Sequence, residues 1–141
     1  MIERTLAIIK PDAVERGFIG EIISRIERKG FRIVKMKSMV FSRECAERFY
    51  EEHKGKPFYE GLVNFMSGRQ VVVMILEREN AVKILRKLVG STDPAEAAPG
   101  TIRGDIGLGL PANSIHASDS VHSAAREISI LFGEEEVKHP A

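Results

Sequence analysis

Apolar residues recur along this chain with two periods, and the changes between them mark its elements. Residues 4–10, with the run Leu6, Ala7, Ile8, Ile9, predict a strand closed by Pro11. Asp12 and Glu15 have the spacing of a capping box for a short helix. Ile19, Ile22, Ile23 and Ile26 fall at i, i+3, i+4 and i+7, which predicts an amphipathic helix over residues 19–29. Arg28 and Lys29 complement its C-terminal dipole, and Gly30 stops it. Val34, Met36 and Val40 alternate with Lys35, Lys37 and Met39, predicting a second strand exposed on one face. Ser42 is placed to cap a helix that carries Ala46, Phe49, Tyr50 and His53 on one stripe.

Gly55 to Pro57 reads as a loop and residues 58–66 as a short helix. Residues 71–76 are apolar at every position, as in a central buried strand. Asn80 opens a helix with Ala81, Ile84, Leu85 and Leu88 on one face, and Gly90 closes it. From Ser91 to Ala112 no period holds; so long a stretch inside a compact domain is usually a functional loop or a disordered one. His116 follows on a short apolar segment. Ser120 then caps a helix with Val121, Ala124, Ala125 and Ile128 inward. The order β-α-β-α-α-β-α-loop-β-α predicts helices packed on a sheet, an α+β mixed layer. Periodicity leaves open whether the strands run parallel or antiparallel.

With 141 residues, positions 1–141 are read as a single domain with one sizeable core. Its 21 basic and 20 acidic residues balance, so charge makes no case for nucleic acid or a membrane surface. One cysteine, Cys45, excludes an internal disulfide and fits a reducing compartment. The longest apolar runs, residues 6–9 and 71–76, are too short to span a bilayer. Lys10-Pro11-Asp12 breaks any signal peptide. A cytoplasmic protein is expected.

Two phosphate-binding patterns fail. Gly107-Leu108-Gly109-Leu110-Pro111-Ala112 matches a dinucleotide fingerprint in letters, but no strand precedes it and Pro111 stands where a helix should open. Gly55-Lys56 lacks the earlier glycine and the following hydroxyl of a P-loop. A nucleotide enzyme here must hold phosphates with side chains.

The segment Asn113-Ser114-Ile115-His116-Ala117-Ser118-Asp119-Ser120 sets one histidine among an amide, hydroxyls and a carboxylate. Imidazole, with an ordinary pKa of roughly 6.5, offers a nitrogen lone pair at neutral pH. Phosphorus is an electrophile for such a nitrogen, and Lys10, Arg86 and Arg103 supply cations. A lone histidine on an apolar segment is more often a core residue. His53, His122 and His139 are assigned to helix face, first turn and tail.

Ile8-Ile9-Lys10-Pro11-Asp12-Ala13, Gly100-Thr101-Ile102-Arg103-Gly104-Asp105 and the Asn113 to Ser120 segment, in that order, resemble a nucleoside diphosphate kinase. The resemblance runs from residue 3 to about 132. It implies a ferredoxin-like four-stranded antiparallel sheet with helices packed on it. It also implies ping-pong transfer of a γ-phosphoryl group from a nucleoside triphosphate, such as ATP, to a nucleoside diphosphate through phospho-His116. The same resemblance assigns orientation of the imidazole to Glu127, directly or with Ser118, and places the hydroxyl of Tyr50 beside it. Arg86, Thr92 and Arg103 are assigned to phosphates, and Lys10 and Asn113 to sugar hydroxyls and nearby phosphates.

By resemblance Phe58 stacks on the base between Leu62 and Leu110, with low base selectivity; without it, Phe58 reads as a plain core aromatic. No metal-ligand spacing occurs, so Mg²⁺ is expected to arrive on the nucleotide. Asp119 either touches it through water or caps a helix. Ala117 stands where the family has glycine; a left-handed backbone there would cost alanine roughly 1 kcal/mol or more. The tail after Phe132 is short, which bears on subunit packing. A homo-oligomer built on two-fold dimers, a tetramer or hexamer, is expected, with the loop around Pro94 and Pro99 and the tail after Gly133 between dimers. The rival readings are a non-catalytic nucleotide-binding regulatory module and a phosphohistidine relay domain.

Overall fold

The structure, a computed structural model, describes residues 2–137; His139 and the end of the tail lie outside the described residues. Four strands form one sheet in the order β2-β3-β1-β4: β1 (Ile2–Ile9), β2 (Arg32–Val40), β3 (Gln70–Glu79) and β4 (Ile115–Ala117). All three pairings are antiparallel, with Ile8 opposite both Val73 and His116. The sheet is ferredoxin-like, as the resemblance implied.

The unbroken apolar runs of β1 and β3 follow from cover on both faces. Ala7, Ile9, Val72, Met74 and Leu76 point into one core with α2 (Ile19–Arg28) and α5 (Ala81–Val89). Leu6, Ile8, Val71, Val73 and Ile75 point into the other, under α3 (Arg43–Phe49), α4 (Tyr59–Met66) and α7 (Val121–Phe132). Removing one such buried Leu or Ile side chain down to alanine costs about 2–5 kcal/mol.

Several local expectations are corrected. Pro11 closes the strand as expected and is itself the first residue of the short helix α1 (Pro11–Glu15), because its missing N–H is no loss in a first turn. Lys10 is its N-cap, so the Asp12 and Glu15 capping box does not form; Glu15 instead pairs with Arg69 at 2.8 Å. A bulge between Ile33 and Lys35 shifts the pleat of β2, leaving Met36 and Val40 exposed on this edge strand. His53 leaves the stripe of α3 for a separate 3₁₀ turn, Glu51–His53. Val121 is 55% exposed rather than inward, whereas Ala124 and Ile128 are buried. Asn80 precedes α5 in a left-handed conformation without a side-chain cap, and Glu3 accepts from Val82 N–H instead.

The stretch from Ser91 to Ala112 hides a helix, α6 (Ile102–Ile106), capped by Thr101, whose hydroxyl accepts from Gly104 N–H at 3.0 Å. Its Ile102 and Ile106 enter the core, and Arg25 grips Asp105 at 2.8 Å. Gly90, at φ 91°, ends α5 where a Cβ would meet the Thr101 hydroxyl at 2.6 Å, so the loop folds back directly against it.

Candidate active site

Antiparallel pairing with the end of β1 fixes which way β4 faces. Ile115 and Ala117 enter one core, so the pleat turns His116 to the opposite face, toward α3 and α7. There its ring meets Phe49 edge-on at 5.2 Å and Tyr50 at 6.5 Å. Nε2 donates to Glu127 Oε1 at 2.8 Å, and the Ser118 hydroxyl donates to the same oxygen at 2.6 Å. Burial alone would raise the carboxyl pKa of Glu127. The facing histidine, the two hydrogen bonds and the Arg126 charge outweigh it and hold the group below the ordinary range. Glu127 is thus an anion that engages Nε2, and Nδ1 makes no hydrogen bond among the described residues. The side chain of His116 keeps 19% exposure, onto a cavity of about 590 Å³.

Ala117 sits within β4 and has no left-handed backbone, so its replacement of the family glycine carries no conformational strain. The left-handed residue of this segment is Ser114, at φ 76°. Its carbonyl accepts from Lys10 N–H at 2.9 Å, which ties the segment to the end of β1.

Lys10 Nζ donates to Asn113 Oδ1 at 2.7 Å, while Asn113 Nδ2 donates to the Thr92 carbonyl at 2.9 Å. Burial, then the charge of Arg103, lowers the Lys10 ammonium from 10.5 to about 8, with Asp12 opposing. Arg103 is buried on α6, its Nη1 donating to Gly90 O and its Nη2 to Ile115 O at 2.7 Å. Burial, then Arg86, lowers its pKa to about 10. Its Nε and the hydroxyl of Tyr50 are buried without a partner among the described residues. Burial, then the negative Glu127, pushes the Tyr50 pKa far up, so that hydroxyl stays a neutral donor.

Phe58 and Leu110 are 53% and 61% exposed at the cavity mouth, with Leu62 behind them. Phe58 is therefore no core aromatic. Every residue singled out from the sequence lines this cavity except Ser118, which stands behind Glu127. Asp119 does not cap α7; Ser120 does, and Asp119 pairs with Arg86 at 2.7 Å.

Lining residues that were not expected in the site include His53, Arg126 and Glu52. His53 stacks on Tyr50 at 6.4 Å and meets Phe58 at 5.2 Å. Arg126 donates to the carbonyls of Arg48 and Phe49 and faces Glu52 at 3.6 Å, clamping α7 to the end of α3. Among the described residues no three His, Cys, Asp or Glu are grouped to hold a metal ion. An exposed carboxylate, Asp119, ion-paired with Arg86 beside further cations, suits a hydrated Mg²⁺ carried on phosphates rather than a protein cage.

The sequence profile of the nucleoside diphosphate kinase family matches residues 3–137. The chain is 58% identical to a nucleoside diphosphate kinase of Methanocaldococcus jannaschii over 97% of its length and 98% of that protein's. It is 59% identical to one of Pyrococcus furiosus, over 96% of this chain and 86% of that protein. Among solved structures, the nucleoside diphosphate kinase of Aquifex aeolicus superposes with a TM-score of 0.93 at 44% identity, covering 98% of this chain and 100% of that one. The Halobacterium salinarum enzyme in complex with CDP also gives 0.93, at 43% identity, covering 100% of this chain and 94% of that one.

Proposed function

The chain belongs to the nucleoside diphosphate kinase family and is a phosphotransferase acting between nucleotides, and from this premise we propose a ping-pong cycle carried by His116. One observation carries the reading. The 2.8 Å bond from Nε2 to Glu127 fixes the proton on that nitrogen and leaves the Nδ1 lone pair free in a cavity-lining residue. Nδ1 attacks the γ-phosphorus of a nucleoside triphosphate, forming a P–N bond as the bond to the β-phosphate oxygen breaks. The diphosphate departs, and a β-phosphate oxygen of a second diphosphate reverses the step. Glu127, steadied by Ser118, stabilises the positive ring that exists while phosphorus is bound.

Lys10, Arg86 and Arg103 neutralise charge on the phosphoryl oxygens, which is most of what such a transfer requires. Thr92 and Asn113 add polar contacts to phosphates and sugar, and Tyr50 directs its hydroxyl at the reacting group. Phe58 gives a π face that every base can use, walled by Leu62 and Leu110, so base selectivity is low. Asp119 would hold Mg²⁺ through water. The ion would supply positive charge that offsets the charge of the phosphates.

The natural setting proposed is the cytoplasm; no helix among the described residues is long and apolar enough to cross a membrane. The exposed edge of β2, with Met36 and Val40 uncovered, supports a homo-oligomer of two-fold dimers, four or six subunits in all. The loop around Pro94 and Pro99 and the tail after Gly133 are its proposed contacts between dimers. Light scattering at micromolar concentration tests this, a monomer mass being the contrary result. The function itself is tested with γ-labelled ATP. Label on the protein that survives alkali and is lost in acid is the expected outcome, and no label would refute the enzyme.

A further inference from the structure

One cation of the site already has an anion. Arg86 leaves α5 and donates through Nη1 to Asp119 Oδ1 at 2.7 Å and to the Ala117 carbonyl at 3.4 Å. Both side chains line the cavity. Arg103 feels both of them, Arg86 repelling its charge and Asp119 favouring it. A carboxylate thus stands inside the cationic cluster, bringing the charge that a phosphate oxygen would bring. The helix does not need it there, since Ser120 caps α7 by accepting from Ser123 N–H at 3.0 Å. Nor is it locked in place: the Asp119 side chain is 75% exposed, and an exposed pair of this kind exchanges partners readily.

We propose that Asp119 is a cation-responsive latch on Arg86. In the free protein it occupies the guanidinium as an internal substitute for phosphate, and it releases Arg86 when a hydrated divalent cation on the nucleotide takes the carboxylate instead. The inference rests on the phosphotransfer reading, because it needs nucleotide phosphates at Arg86. Without the cation, an incoming polyphosphate must displace Asp119 and then face its repulsion at close range. With the cation, carboxylate and phosphate turn to a shared positive charge, and Arg86 is freed for the phosphates. Asp119 is in this account a positioning residue that acts through Arg86. By linkage, the factor by which the cation tightens nucleotide binding equals the factor by which nucleotide tightens cation binding.

The test is equilibrium binding of ADP to the full chain by calorimetry, in EDTA and in excess Mg²⁺. The proteins are wild type, Asp119→Asn, Arg86→Ala and the double variant. Asp119→Asn keeps the size of the side chain and removes its charge. Cation-free ADP is expected to bind Asp119→Asn about threefold or more tighter than wild type, and the gain from Mg²⁺ to shrink at least in proportion. In the Arg86→Ala background the tightening from Asp119→Asn should fall away. The same tightening in that background would mean simple repulsion without a latch, and would overturn the inference. Unchanged cation-free binding with weaker Mg²⁺-dependent binding would make Asp119 a metal contact alone, which also overturns it. Equal weakening under both conditions would leave only structural support of Arg86, a third refutation. If ADP failed to bind wild type under either condition, the functional reading would fall, and this inference with it.

Discussion

The floor and the mouth of the cavity are built to opposite rules. On the floor His116 and Ser118 are hydrogen-bonded to Glu127 across β4 and α7, and Lys10, at the end of β1, to Asn113 in the loop before β4. At the mouth Phe58, Leu110, Arg86 and Asp119 are largely exposed, and their one strong link is the Arg86 ion pair. A buried polar group left unpaired is costly, so the floor tolerates one arrangement. An exposed aromatic and a solvated ion pair tolerate many. The contrast suits a site whose reaction is fixed and whose base is not.

Substitutions on the floor should therefore reduce turnover, and those at the mouth should change affinity. His116→Ala is expected to abolish both labelling and transfer while circular dichroism reports an intact fold; near-normal turnover would name a different nucleophile. Arg103→Ala and Lys10→Ala should each raise the barrier by about 2.7–4 kcal/mol, read in steady-state kinetics. Unchanged rates in both would dissolve the proposed cationic cluster. Glu127→Gln removes the charged partner of the imidazole and should lower kcat by about 1.5–3 kcal/mol with KM nearly constant. Phe58→Ala should do the reverse. KM rises by the equivalent of about 1–3 kcal/mol for every base alike, and a loss confined to one base would contradict stacking.

The most gradual effect is the pH limb of Lys10. Its ammonium, lowered to about 8, is cationic below that pH and neutral above it. Its contribution to kcat/KM is thus full under mildly acid to neutral conditions and lost as pH rises through about 8. A profile of Lys10→Ala should lack that limb.

What was legible in the sequence follows the same division between local and distant causes. The runs of β1 and β3 and the isoleucine stripe of α2 declare themselves, because burial on two faces or one leaves a period in neighbouring residues. Helix α6 does not, since five residues are too short for a period and its burial comes from α2 and α5. The bulge in β2 defeats a strict alternation, which is why Met36 and Val40 were expected with the covered residues and stand exposed. Motifs marked His116, Lys10, Arg86 and Arg103 as candidates, and the fold brings all four to one cavity. Arg126 was not, because its partners Arg48 and Phe49 lie 78 and 77 residues away and nothing local marks them. His53 left a trace: it lies three residues after Tyr50, the spacing that stacks their rings.

The central claim is that His116 holds the phosphoryl group between two separate nucleotides, and a half-reaction tests it most directly. The protein is exposed to labelled ATP with Mg²⁺, freed of all nucleotide, and then given unlabelled GDP alone. The account predicts that label leaves the protein and appears as GTP with no further ATP present, and that His116→Ala carries none across. Label that stays on the protein, or GTP formed only while ATP and GDP are present together, would contradict it.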